Sequence, residues 1–185
     1  MFLHRLSRAL VKFSKGSIAL VALVTFLIFS ALVLPGQSAA VDAYSGSAGS
    51  PDLSLLYTPD DLYQMAEQYG FTGRAAYVHS RFSFDLIFPI IYTLFLITAI
   101  SWILGTITPE TSQWRMLNLA PILGMLFDFL ENTTASIVIS RYPTPSPISV
   151  NLAPVFTFLK WVFVGGSFLI LFISGLASLF ARKKN

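Results

Sequence analysis

The chain has 185 residues, 55% of them hydrophobic and 11% charged, with a mean hydropathy of +0.70 and a formal net charge of +3. Soluble domains carry roughly 25% charged residues, so the composition excludes an ordinary soluble domain and predicts an integral membrane protein whose length is spent largely on crossings. The absence of cysteine excludes disulfides, thiol redox chemistry, Cys-ligated zinc and iron–sulfur clusters.

Residues 1–15 are a basic N-terminal segment carrying Arg5, Arg8, Lys12 and Lys15. A crossing helix needs about 20 apolar residues, and Gly16 to Leu34 is the first run of that kind (16–34). Its basic flank and the small residues Ser38 and Ala40 also fit a cleaved signal peptide. The h-region of such a peptide is usually about 7–15 residues, shorter than this run, so the span is read as an uncleaved signal-anchor. Cleavage would leave three spans and an external N-terminus.

Residues 35–80 form the external segment. Gly36 to Pro51 is rich in Ser, Ala and Gly without a hydrophobic period and predicts a flexible linker. Thr58-Pro59-Asp60-Asp61 then predicts a helix start: Thr58 caps, Pro59 suits the first helical position, and the two acids suit the positive end of the helix dipole. Leu62, Met65 and Ala66 share one face and Gly70 is a natural stop, so a short amphipathic helix is expected on the outer membrane surface or over the mouth of the bundle. Thr72 offers a second cap. From Gly73 to Leu104 the only breaker is Pro89, which predicts one helix running into the second span (81–105) with a kink near that proline.

A short loop (106–115) leads to the third span (116–140), an external loop (141–151) follows, and the fourth span (152–181) ends in the basic tail 182–185. Arg5, Arg8, Lys12, Lys15, Arg115, Arg182, Lys183 and Lys184 fall on one side, against Arg74, Arg81 and Arg141 on the other. By the positive-inside rule both termini are cytoplasmic. The basic ends are topology determinants with some attraction to anionic lipid. Trp102 and Trp114 near the inner boundary and Tyr142 near the outer one match aromatic belts.

The third span contains Asp128, Glu131 and Asn132 at i, i+3 and i+4, one helical face. Ionisable groups within a span are costly and normally face a protein interior or a water-filled cavity. At about 1.5 Å per residue from Arg115, Asp128 lies roughly 20 Å and Glu131 roughly 24 Å deep, in the outer half of a core about 30 Å thick. Lys160 in the fourth span reaches a similar level. Arg74, Tyr77, Arg81, Asp85, Pro89 and Tyr92 form a stripe along the second, with Arg81 and Asp85 placed for an i, i+4 ion pair. Asp85, Asp128, Glu131 and Lys160 are therefore expected to converge, with Arg81 and Asn132 beside them.

Three readings of that convergence stay open. Buried pairs can simply hold helices together, and Gly124, Ala135 and Ser136 would permit the close approach such packing uses. A ligand or substrate site would use the same groups, and two carboxylates at i, i+3 suit general acid–base work with Asp128 and Glu131 as the catalytic candidates. A proton or ion path is the third. Asn132-Thr133-Thr134 matches a glycosylation acceptor but lies in a span. His4 and His79 stand alone and predict no metal site. No phosphate loop, dinucleotide fingerprint or hydrolase motif occurs, so no cofactor is expected, and a nucleic-acid role is excluded.

Tyr69-Gly70-x-x-Gly73-Arg74-x-x-Tyr77, Phe84-Asp85-x-x-Phe88-Pro89-x-x-Tyr92 and Phe127-Asp128-x-x-Glu131-Asn132 together resemble a group of small bacterial four-pass membrane proteins. The likeness covers Leu56 to Lys160 and implies that these residues form one unit; it implies no reaction. A fainter likeness, in architecture and carboxylates alone, is to four-pass sterol isomerases and sigma-2-type receptors, which is analogy at the level of fold. The expectation is an all-α integral membrane protein, a four-transmembrane-helix bundle with a short amphipathic external helix, in a bacterial inner membrane. Its expected function is binding of a lipid-like or amphipathic ligand, or service as an accessory subunit beside a membrane-protein partner or further copies of itself. The alternatives are an enzyme acting on a hydrophobic substrate and a component of proton- or ion-coupled transport.

Overall fold

The computed structural model describes residues 2–182, with side chains as far as Ala181; Lys183 and Lys184 of the expected basic tail lie outside the described residues. Among the described residues there are seven α-helices and no strand: α1 (Phe2–Phe13), α2 (Gly16–Ser45), α3 (Pro59–Gln68), α4 (Gly70–Arg81), α5 (Phe84–Ile107), α6 (Ala120–Arg141) and α7 (Pro147–Arg182). Short 3-10 turns occupy Gly46–Ala48, Pro51–Leu53 and Gln113–Leu119. Four helical stretches, Gly16–Ala48, Gly70–Ile107, Gln113–Arg141 and Pro147–Ala181, are long and apolar enough to cross a membrane.

Successive long helices run antiparallel. Phe26 stacks on Phe95 at 5.2 Å and Phe29 on Phe84 at 5.8 Å between α2 and α5, while Phe127 of α6 stacks on Phe163 of α7 at 5.6 Å. One apolar core, built on Tyr92, Leu96, Ile100 and Leu104 of α5, lies toward the end that carries the N-terminus. The other fills the opposite end, where Leu62 and Ala66 of α3 pack with Ala135, Val138 and Ile139 of α6 and with Val150 and Ala153 of α7. The start of α3 carries a complete capping box: Thr58 Oγ1 accepts from the Asp61 amide at 3.2 Å and Asp61 Oδ2 accepts from the Thr58 amide at 2.7 Å. Those bonds to Thr58 favour the charged form and lower the Asp61 carboxyl below its ordinary value. Gly70, at φ +62°, makes the turn into α4 that other residues would resist.

Two elements differ from the sequence-based expectation. The stretch from Gly36, expected as a flexible linker, continues α2 to Ser45. Ala39, Ala40 and Ala43 are strong helix formers, and tertiary packing supplies what local pattern lacks. A Cβ on Gly73 would lie 3.1 Å from the Tyr44 carbonyl, so this glycine lets the end of α2 settle on α4, where Tyr44 meets Tyr69 and Tyr77 edge-on. The helix expected to run unbroken from Gly73 to Leu104 is instead two, α4 and α5, divided at Phe82 and Ser83. Ser83 takes φ −122°, ψ −82°, outside the helical region, and its hydroxyl donates to the His79 carbonyl at 2.6 Å, satisfying the end of α4. Pro89 remains inside α5, where its missing N–H leaves the Asp85 carbonyl without a helical donor.

Candidate functional site

The face of α6 that carries Asp128, Glu131 and Asn132 begins with Gly124, and that residue sets the spacing. A Cβ there would lie 2.9 Å from Val164 Cγ2 and 3.3 Å from the Val164 amide nitrogen, so α7 approaches as closely as a bare backbone permits. The approach places Lys160 Nζ 2.6 Å from Glu131 Oε2, with Glu131 at 0% and Lys160 at 3% exposure. Lys160 also pairs with Asp52 Oδ1. Asp52 Oδ2 lies 3.4 Å from Arg81 Nη1, and Arg81 Nε lies 2.8 Å from Asp85 Oδ2. An alternating chain of charges, Glu131, Lys160, Asp52, Arg81 and Asp85, thus links α7 and α6 to α4 and α5.

Asp128 stands beside this chain and is held differently. Its Oδ2 accepts from the Tyr92 hydroxyl at 2.9 Å and its Oδ1 from Asn132 Nδ2 at 3.1 Å. Asn132 Nδ2 also reaches the Asp85 carbonyl at 3.4 Å, the acceptor that Pro89 leaves free. Among the described residues the cluster therefore holds four carboxyl groups and two cations, and Asp128 is the carboxyl group with no ion pair.

Asp52 is the member that sequence reasoning missed, having been read only as part of the external segment 35–80. It sits in the 3-10 turn Pro51–Leu53, and Lys160 Nζ and Trp161 Nε1 each donate to its carbonyl at 3.3 Å. Burial alone would raise its carboxyl, but the Lys160 ammonium and the Arg81 guanidinium outweigh burial and hold it well below the usual carboxylate range. A signal was present in the chain. Ser50-Pro51-Asp52 repeats the hydroxyl, proline and acid order of Thr58-Pro59-Asp60, and both turns start in that register, although only Thr58 makes a side-chain capping bond.

The remaining stripe residues divide. Tyr77, fully buried, lies under Arg81, whose guanidinium carbon is 4.9 Å from the ring centre. Arg74 is not brought into the cluster: it sits over Tyr142 at 5.4 Å and donates to the Ala66 carbonyl at 3.1 Å, fastening α4 to α3 and α6. The amphipathic helix α3 packs on α6 and α7, and the Pro51–Leu53 turn meets the charges through Asp52.

A cleft of about 300 Å³ opens beside the cluster. Its walls are Phe26 and Leu34 of α2, Phe84 and Phe88 of α5, and Trp161, Val164 and Phe168 of α7; its polar end holds Asp52, Asp85, Asp128 and Lys160. Leu53, Trp161 and Phe168 at its rim are partly exposed, and the Phe168 ring lies 6.3 Å from that of Phe26. Asp128 faces this space together with Tyr92, whereas Glu131 does not line it. Carboxylate oxygens of Asp52, Asp128 and Glu131 lie within 4.8 Å of one another, a spacing a metal could use, but the ammonium of Lys160 already bridges Asp52 and Glu131. No family model, no curated protein and no solved structure matches the chain, so its own geometry carries the functional argument.

Proposed function

We propose that the chain is an integral protein of a bacterial inner membrane, with both termini cytoplasmic, that binds a lipid-like or amphipathic ligand in the cleft between α2, α5 and α7. The single observation behind this reading is the joining of an aromatic and aliphatic trough to a polar end that includes a carboxyl group without an ion pair. Ligand pockets run from about 300 to 1,000 Å³, mostly apolar with a few placed polar groups. At about 300 Å³ the cleft suits a headgroup and the first part of one chain, with the remainder of the ligand passing the rim at Leu53, Trp161 and Phe168 into the bilayer. Asp128 and Tyr92 would fix the head by hydrogen bonds, and the phenylalanine walls would take the chain through apolar burial.

The acid–base pairing of Asp128 with Glu131 gains less support, because Glu131 is enclosed and held by Lys160. An enzyme at this site would have Asp128 and Tyr92, with the ion-paired Asp52, Asp85 and Lys160 beside them. Extraction of lipid from purified wild type and from Asp128→Asn tests the binding reading. Asparagine keeps the shape and can still accept from Tyr92, so a folded variant that has lost a specific co-purifying lipid supports the proposal, and identical lipid content in both proteins contradicts it.

A further inference from the structure

The N-terminal helix α1 is not used by the cleft, and it is built with unusual care for a basic leader. Its roll is fixed by the bundle: Ser7 Oγ donates to the Arg115 carbonyl at 3.0 Å, and Asn118 Nδ2 donates to the Ser7 carbonyl at 3.1 Å and to Ser101 Oγ at 2.8 Å. Gly105 allows the approach, since a Cβ there would lie 2.8 Å from Val11 Cγ1. Ser7 and Ser14 are buried in this dock.

With the roll fixed, the other two sectors follow at about 100° per residue. Phe2, Leu6, Ala9 and Phe13 fall on one flank of the docked face, and Phe2 and Phe13 are 74% and 67% exposed. His4, Arg8 and Lys12, with Arg5 close by, fall on the other flank and are exposed. No acidic residue occurs in α1. A helix with one side on protein, one side of bare aromatic and aliphatic groups and one side wholly basic has the three surfaces that a helix at a membrane boundary needs. It joins the apolar α2 through only Ser14 and Lys15, which holds it at the level where that helix begins.

We infer that α1 lies in the headgroup layer at the terminal end of the bundle, with Phe2 and Phe13 set into the acyl boundary and Arg5, Arg8 and Lys12 gathering anionic phospholipids. The inference rests on the chain spanning a bilayer and is independent of the cleft. The occupant is the lipid leaflet: the bare flank is continuous with a membrane-length apolar helix, and the charge beside it complements acidic phosphates.

Because the chain has no cysteine, single spin labels at Phe13→Cys and Lys12→Cys in the full-length protein, reconstituted in phosphatidylcholine with phosphatidylglycerol, report on the two flanks without interference. The label at 13 is expected to relax with dissolved oxygen and not with a water-soluble nickel chelate, and the label at 12 the reverse. Nickel access at 13 would overturn the inference, and so would protection of 13 from both reagents, which would place a protein partner or a second copy on that flank. Spin-labelled lipid provides the second arm. Wild type is expected to prefer phosphatidylglycerol over phosphatidylcholine several-fold, because basic side chains near the surface attract anionic lipid, and Arg5→Gln/Arg8→Gln/Lys12→Gln should remove most of that preference. An unchanged preference in that variant would overturn the lipid assignment. Retention of the cleft lipid in the same variant is expected, which separates failure here from failure of the proposed function.

Discussion

The two ends of the bundle each hold a buried polar network, and they are built on opposite plans. At the terminal end, Ser7, Ser101, Arg115 and Asn118 join α1, α5 and the turn before α6 through hydrogen bonds. Arg115 spends its guanidinium on the Gly105 and Thr108 carbonyls and the Thr108 hydroxyl. That network holds one cation and no carboxylate. At the opposite end Asp52, Arg81, Asp85, Asp128, Glu131 and Lys160 hold more carboxyl groups than cations and border an apolar cleft. Helix attachment needs only the first plan, because neutral and backbone-directed hydrogen bonds avoid the desolvation cost of buried charge. The surplus carboxyl group and the cleft are what the second plan adds, and they are the reason for locating binding there.

Four variants test that contrast, from the largest effect to the smallest. Lys160→Met leaves Glu131 and Asp52 without their shared cation, and removing one partner of a buried pair costs about 3–5 kcal/mol; a denaturant titration in detergent should show a loss of that order, and a loss below about 1 kcal/mol would mean the charges are solvated. Gly124→Ala forces a methyl group against Val164, so overpacking of about 1–3 kcal/mol is expected in the same titration, with weakened lipid retention as α7 moves off. Asn118→Leu removes the bonds to Ser7 and Ser101 for about 1–2 kcal/mol while leaving cleft occupancy unchanged; loss of the ligand here would couple the two ends and undo the distinction.

The smallest effect, over the range from neutral pH to about pH 5, is the pH dependence of Asp52. Its folded carboxyl titrates below the ordinary value, so its ionised form contributes stability that is fully present above about pH 4 and is lost as the pH falls toward the folded value. The stability difference between wild type and Asp52→Asn should stay constant from neutral pH to about pH 5 and shrink only in stronger acid. Shrinkage already between about pH 7 and 5 would show that Lys160 and Arg81 do not hold this carboxylate.

The long helices and the polar face of α6 were legible in the sequence because hydrophobic length and i, i+3, i+4 spacing are local properties. Thr58-Pro59-Asp60-Asp61 was legible for the same reason, its cap being complete within four residues. The role of Asp52 was not, since it depends on Arg81 and Lys160, 29 and 108 positions away along the chain, and the surrounding Ser, Ala and Gly carry no period. The extension of α2 past Gly36 depends on a glycine in α4, and the break at Ser83 on a side chain turning back to His79. Arg74 shared the spacing of Arg81 and Asp85, yet it lies about 10 Å from Arg81 along α4 and is taken up by Tyr142 and the Ala66 carbonyl, while the turn at Phe82 and Ser83 starts a new helix for Asp85, so a common stripe did not become a common site. Spacing reports which residues share a face while the helix lasts; it does not report where the helix ends.

The central claim is that the cleft holds a particular ligand and is not just a groove filled by whatever lipid surrounds the protein. A photoreactive phenylalanine placed at Phe168, on the cleft rim, and separately at Phe172, one turn along α7 and 63% exposed outside the cleft, tests this in native membranes. A discrete adduct at 168 that is absent at 172, and that disappears when Asp128→Asn is added, is the result this account predicts. The same spread of bulk phospholipid adducts at both positions, unaffected by Asp128, would contradict it.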